Sequence, residues 1–385
     1  MALSVAIIGA GPAAFYTAEA LLARGGVEID IIERLPTPYG LIRAGVAPDH
    51  QSTKKVAQKF EKMALAHAVH FFGNVQVGRD LALADLRTIY DAVVIAVGSP
   101  RDRALGIPGE QRRGVYGSSL FVGWYNGHPD FRDLNPVVRG PVAVVIGNGN
   151  VALDIARVLV LSEAELAASD IPEYAIDILR RSGIEEVVVI GRRGPAQARF
   201  AQVELRELLD LDDCVAIADP ADLPDTVVAA DDRERRLIER NLALFRQFAT
   251  ARGDEKQKRL RFRFYCAPVA ITGDAAASGI RLETMTLQDG VLAASGKILE
   301  IPCCTIMTAI GYRCEAIPGL PFDAARGVVT SADGRIEPGL YVVGWAKRGP
   351  SGVISSNRPD GETCAAQIAA DVTDPSRPGR PALER

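Results

Sequence analysis

One glycine fingerprint occurs twice in this chain, each time between an apolar run and a helix-forming run. The first copy is Val5-Ala6-Ile7-Ile8-Gly9-Ala10-Gly11-Pro12-Ala13-Ala14. The second is Val142-Ala143-Val144-Val145-Ile146-Gly147-Asn148-Gly149-Asn150-Val151-Ala152. In both, glycines permit a tight strand-to-helix turn and let the backbone approach a pyrophosphate at the helix N-terminus. A lone copy fits any such turn. Two copies, each followed by a charged residue at the end of the next strand, constrain the fold to α/β. The expected architecture is two Rossmann-like dinucleotide-binding domains.

The charged residues have opposite signs. Glu33 ends the run Glu28-Ile29-Asp30-Ile31-Ile32, and Arg192-Arg193 follow Glu186-Val187-Val188-Val189-Ile190. A carboxylate at that position accepts hydrogen bonds from ribose hydroxyls and repels a phosphate; a guanidinium grips a 2′-phosphate. The pair therefore reads as a site for FAD and a site for NADP(H), a path for hydride. The bland reading of Arg192 and Arg193, a solvated strand end, ranks below this one. The second spacing is longer than usual, and residues 162–183 read as inserted helical sequence.

The rest of the chain divides around these two sites. Tyr90–Gly98 reads as a buried strand whose terminal Gly98 lets backbone approach the first cofactor. Pro100, Pro108 and Gly109 mark a linker. Cys303–Gly311 reads as a second such strand and as the return to the first domain. The FAD domain is then discontinuous, 1–98 and 305–373, with the NADP domain, 99–304, inserted. Residues 374–385 carry no periodic signal and are expected to form a mobile tail.

A 385-residue chain has room for both domains, and 24% charged residues with a net charge of −4 point neither to nucleic acid nor to a membrane. No apolar run is long enough to span a bilayer. The N-terminal apolar run is already the first strand, which suggests a cytoplasmic protein. The six cysteines contain no C-x-x-C pair, so a dithiol redox centre or zinc ribbon is not indicated.

Further segments resemble one family. Pro38-Tyr39-Gly40-Leu41-Ile42-Arg43-Ala44-Gly45-Val46-Ala47-Pro48-Asp49-His50 is similar to a signature of the adrenodoxin-reductase-type NADPH–ferredoxin reductases. So are Gly147–Asp154, Gly191-Arg192-Arg193-Gly194-Pro195-Ala196-Gln197, Glu204-Leu205-Arg206-Glu207-Leu208 and Gly344-Trp345-Ala346-Lys347-Arg348-Gly349-Pro350-Ser351-Gly352-Val353-Ile354. They occur in the family's order from residue 3 to about residue 368. Residues 209–300 match less well, and family members continue past this chain's last residue.

The resemblance implies roles residue by residue. Gly9, Gly11, Pro12, Ala13, Glu33, Leu41 and Val77 would hold FAD, with Trp345, Gly352, Val353 and Ile354 lining the flavin from the other side. Asn148, Gly149, Asn150, Val151, Arg192, Arg193 and Glu204 would hold NADPH. His50 and Glu207 would act where flavin and nicotinamide meet. Read without the resemblance, Trp345 is equally a core tryptophan, Leu41, Val353 and Ile354 are core residues, His50 is a loop histidine, and Glu204 and Glu207 form a solvated helix face. Pro350–Ile354 also reads as the opening of a helix whose N-terminus would stabilise a reduced flavin.

Charge suggests the electron acceptor's docking surface. Residues 209–232 hold eight Asp and no basic residue, whereas 233–263 hold eleven Lys/Arg against four Asp/Glu. Arg233, Arg235, Arg236, Arg240 and Arg246 would steer a small acidic iron–sulfur protein of ferredoxin type. Salt bridges within the helix, from Glu234 to Arg240 or from Glu239 to Arg235 and Arg236, are an equal alternative. With no dithiol to take an electron pair, electrons would leave singly. An FAD- and NADPH-dependent monooxygenase, or a nucleotide-binding redox sensor without turnover, are the competing readings.

Overall fold

The computed structural model describes residues 2–67, 69–252, 255–288 and 291–384. The chain forms two compact units, one of residues 1–46, 50–101 and 311–385, the other of 47–49 and 102–310.

The first unit is built on four strands of the early chain, β1 (Leu3–Ile8), β2 (Val27–Ile32), β3 (His70–Phe72) and β4 (Ala92–Ile95), with helix α1 (Pro12–Leu22) after β1. Two late strands, Arg335–Glu337 and Leu340–Val342, complete the sheet. Its order is Arg335–Glu337, Leu340–Val342, β4, β1, β2, β3, parallel except at the outermost late strand. Strand side chains alternate between faces. Val5 and Ile7 pack with Phe15, Leu21 and Ile368 of the flanking helices, while Ala6 and Ile8 face a second cluster with Leu86, Cys314 and Val342. A sheet buried on both faces explains why these strands read as unbroken apolar runs.

The second unit carries β5 (Val115–Gly117), β6 (Val142–Ile146), helix α2 (Asn150–Val160), β7 (Glu186–Ile190), α3 (Gln202–Glu207), β8 (Cys214–Ile217), α4 (Asp232–Thr250), β9 (Lys258–Arg263), β10 (Cys266–Thr272), β11 (Gly279–Gln288), β12 (Val291–Pro302) and β13 (Thr305–Thr308). Six form a parallel sheet in the order β5, β13, β6, β7, β9, β8. Antiparallel β10–β12 cover one face, Ile271, Ile280 and Leu282 packing on Val144 and Ile146. The other face packs Ala143 and Val145 on α2 and the phenylalanines of α4.

Three expectations about the chain's course are revised. Strand Thr305–Thr308, expected to open the return to the first domain, pairs with β5 and β6, so the return begins at Gly311. Ala47–Asp49, expected within the first domain, belongs to the second unit, where Asp170 donates to the Pro48 carbonyl. The closing residues, expected as a mobile tail, bond to the first unit. The Ser376 and Arg377 N–H groups donate to Asp91 at 3.0 Å each, and the short helix Arg380–Leu383 brings Arg380 to 3.7 Å from Asp30. The insertion after α2 forms two short helices, Glu163–Ala168 and Glu173–Arg180, the first opened by a reciprocal Ser162–Glu165 cap.

Candidate functional site

The two fingerprint turns are built alike. In the first unit the Gly9 N–H donates to the Ile32 carbonyl at 2.8 Å, and the Ala96 N–H donates to that of Ile8 at 2.7 Å. In the second, Gly147 donates to Ile190 at 3.0 Å and Ala309 to Ile146 at 2.8 Å. The neighbouring chain therefore crosses each turn in the same place. A Cβ on Gly9 (φ 102°) would stand 2.5 Å from the Ala96 carbonyl oxygen, and one on Gly147 would meet the Ala309 oxygen as closely. Backbone fixes both collisions, so only glycine fits. Gly11 and Gly149 cap α1 and α2 without a side-chain cap, and nothing lies within 4 Å of where their Cβ atoms would stand. Each helix thus keeps unfilled space at its N-terminus, beside first-turn N–H groups that suit a pyrophosphate.

Around the first turn the chain offers what an adenosine and a flat apolar ring require. Glu33 accepts from the Ala10 N–H at 2.8 Å and from the Leu35 N–H at 2.9 Å, fixing its carboxylate beside the turn. Pro12 and Ala13 open α1. Leu41 is 48% exposed and Val353 65%, which removes the core reading of both and leaves apolar surface for a ligand to cover. Trp345 is half-buried, stacked on Tyr312 at 5.9 Å, and donates its indole N–H to the Ser351 carbonyl at 3.1 Å. The fully buried tryptophan is Trp124 instead. Val77 is partly buried against the second core cluster of this unit, and Gly98 has φ 71°. His50 opens the short helix Gln51–Lys54, its carbonyl accepting from Thr53 and Lys54.

The helix expected to open at Pro350 begins later. Gly352 has φ 82°, Val353 is extended, and a 3-10 turn at Ile354–Asn357 leads into the helix Arg358–Asp371. The reason is local: Ser356 Oγ accepts the Val353 N–H at 3.1 Å, tying 353–356 into a turn of its own. No helix N-terminus stands at Gly352.

In the second unit the turn is followed by Asn150 and Val151 on α2, and Arg192 and Arg193 lie exposed past the end of β7. Neither arginine makes a side-chain hydrogen bond or ion pair among the described residues. The Asn148 amide is packed on the Cα of Gly191, and both of its polar atoms are buried without a hydrogen-bond partner among the described residues. A buried orphan amide is costly, and a nucleotide's polar atoms would satisfy it.

The profile of the pyridine nucleotide-disulphide oxidoreductases matches residues 3–356. The chain belongs to that family. The NADPH-ferredoxin reductase FprA of Mycobacterium tuberculosis is 43% identical to it, over 93% of this chain and 81% of that protein. The mitochondrial NADPH:adrenodoxin oxidoreductase of Arabidopsis thaliana is 39% identical, over 97% of this chain and 83% of that one. The solved structure of FprA in complex with NADPH matches with a TM-score of 0.92 at 40% identity, covering 97% of this chain and 85% of that chain.

All six cysteines are free thiols. Burial pushes Cys214, Cys303 and Cys364 up to about 12 and Cys314 up to about 11, leaving little thiolate at neutral pH.

Sequence reasoning missed the residue that organises the acidic part of the second unit. Arg157, on α2, is 3% exposed and lies among four carboxylates: Asp49 at 3.0 Å, Asp154 at 3.4 Å, Glu204 at 3.8 Å, and Glu207 in direct hydrogen bond. Burial opposes its charge, and the carboxylates outweigh burial, raising its pKa above the ordinary arginine value. Glu204 and Glu207 are therefore no solvated face. Asp360 has a comparable role in the first unit, accepting from the Gly344 N–H at 3.2 Å and pairing with Arg348 and Lys347, which braces the turn that carries Trp345.

The crossing at Gly147 gives a prediction. Gly147→Ala is expected to leave purified protein yellow with FAD while weakening NADPH binding by about 10-fold or more, since the turn must open against the Ala309 carbonyl. Titration of the flavin absorbance with NADPH measures it.

Proposed function

We infer that this chain is an NADPH–ferredoxin reductase, an FAD-dependent enzyme that takes hydride from NADPH and passes electrons singly to an iron–sulfur protein. The observation that carries this reading is the pair of matching nucleotide turns with opposite charge beside them, Glu33 in one unit and Arg192 with Arg193 in the other. The names of FprA and of the adrenodoxin oxidoreductase support it. Bound FAD would supply the step between a two-electron donor and a one-electron acceptor. The chain supplies position and charge. Gly9, Gly11, Pro12 and Ala13 form the turn for its pyrophosphate, and Glu33 is the acceptor for ribose hydroxyls. Leu41, Val77 and Gly98 complete the FAD site, and Trp345, Gly352, Val353 and Ile354 line the flavin from the other side. Asn148, Gly149, Asn150, Val151, Arg192, Arg193 and Glu204 form the NADPH site. His50 and Glu207 are the proposed catalytic pair, orienting the nicotinamide and handling protons. Buried, unpaired thiols favour a one-electron acceptor over a disulfide substrate.

An anaerobic titration followed by a ferredoxin–cytochrome c relay tests this. Bleaching of the flavin by NADPH, slow bleaching by NADH and ferredoxin-dependent cytochrome reduction support it. Bound FAD that NADPH cannot bleach would overturn it in favour of a sensor.

The ferredoxin is proposed to dock on α4. Arg233, Arg235, Arg236, Arg240 and Arg246 are exposed, and none makes an ion pair among the described residues. Glu234, the alternative partner for Arg240, instead accepts the Ala230 N–H at 2.6 Å. Arg233, Arg236 and Arg240 share one helix face by spacing. Reversing these three to Glu is expected to raise the KM for ferredoxin by about 10-fold or more at low ionic strength, with NADPH-driven ferricyanide reduction unchanged. Equal KM values would remove α4 from the docking surface. Among the described residues no helix is long and apolar enough to cross a membrane. A cytoplasmic location belongs to the same proposal, and cell fractionation tests it.

A further inference from the structure

Each nucleotide turn has a returning segment beside it: Tyr39 donates its N–H to the Ala10 carbonyl at 2.8 Å in the first, and the second carries an arginine at the matching place. After Gly191–Gln197 the chain comes back alongside the second turn. The Arg199 N–H donates to the Asn148 carbonyl at 2.8 Å, Gly149 and Arg199 form a parallel bridge, and the Ala201 N–H donates to Asn150 Oδ1 at 2.7 Å. Three contacts in succession thus strap residues 199–201 to residues 148–150. Bridged residues stand about 5 Å apart, so the backbone of Arg199 is one strand spacing from Gly149, the residue that caps α2.

Arg199 is exposed and makes no side-chain hydrogen bond or ion pair among the described residues. The two carboxylates that follow it on α3, Glu204 and Glu207, pair with Arg157 instead. The space beside Gly149 is open, and the amide of Asn148, in the same turn, is buried without a partner among the described residues. A long cationic side chain anchored at this turn, with no protein anion committed to it, suits an anion on the α2 N-terminus. Arg192 and Arg193 are placed differently, past the end of β7, where a ribose substituent is read.

We propose that Arg199 is a third arginine of the nucleotide site, gripping the pyrophosphate that NADPH and NADH share, whereas Arg192 and Arg193 read the 2′-phosphate that NADPH alone carries. This rests on the NADPH reading above. Arg199 then sets how tightly either nucleotide binds, and the other two set which one binds.

The test is calorimetric binding of NADP+ and NAD+ to the FAD-loaded protein, wild type and Arg199→Ala, with melting temperature and flavin spectrum as controls on folding. Loss of a charge-assisted bond to phosphate is expected to raise both dissociation constants by the same factor, on the order of 10- to 100-fold, with their ratio held within about twofold. Arg199→Lys is expected to recover part of the loss, because a point charge replaces the fork. Unchanged constants in Arg199→Ala would overturn the proposal, as would a loss confined to NADP+, which would move Arg199 to the 2′-phosphate. Wild-type protein that binds neither nucleotide would overturn the NADPH reading itself, and that outcome is visible before any variant is made.

Discussion

Replacing Arg192 and Arg193 together with alanine is expected to lower the preference for NADPH over NADH by about 30- to 1000-fold. Both side chains lie exposed past the end of β7, with no protein anion paired to them among the described residues, so both are available to a phosphate. Charge-assisted hydrogen bonds to a phosphate contribute about 1.5–3 kcal/mol each, and two arginines sharing one phosphate contribute less than twice that, which gives about 2–4 kcal/mol. NADH has no 2′-phosphate, so its binding is expected to change little. The measurement is kcat/KM for each nucleotide with ferricyanide as acceptor, which leaves the ferredoxin surface out. An unchanged ratio would detach these arginines from the 2′-phosphate. With Arg199→Ala beside it, the same assay separates affinity from preference, because the two variants are expected to move different quantities.

Much of this site was legible in the sequence because it is local. A glycine turn, the helix it opens and the charged residue ending the next strand lie within a few tens of residues in the first copy, and each has its own backbone or charge requirement. The longer second spacing was legible too, since residues 162–183 read as inserted helical sequence. What escaped depends on contacts between distant residues. Thr305–Thr308 has the composition of any buried parallel strand, and only its pairing with β6 decides which sheet it joins. Leu41 and Val353 look like core residues because an apolar residue type alone does not tell whether the fold covers it, and the fold leaves both exposed. The tail at 374–385 has no periodicity of its own, and its anchoring depends on Asp91, far away in sequence. Arg157 gave one signal, Asp154 three residues before it. That spacing describes countless surface pairs, whereas Asp49, Glu204 and Glu207 reach Arg157 only in the folded unit.

Removing that arginine is expected to be the most destabilising single change in the second unit. In Arg157→Leu, four carboxylates lose a guanidinium they share, one that is itself 3% exposed. Breaking a buried ion pair from one side costs about 3–5 kcal/mol, because the remaining charge loses that compensation. Urea unfolding followed by far-UV circular dichroism measures the loss as an earlier midpoint. Two companions separate charge from lost packing. Arg157→Lys is expected to recover less than half, since an ammonium cannot span the same carboxylates as a planar fork. Adding Glu204→Gln and Glu207→Gln to Arg157→Leu is expected to restore part of the midpoint by removing charge that needs compensation. A deficit unmoved by the glutamine changes would mean that Arg157 fills space rather than neutralising charge. In that case Glu207, its closest partner, would not owe its position to the ion pair.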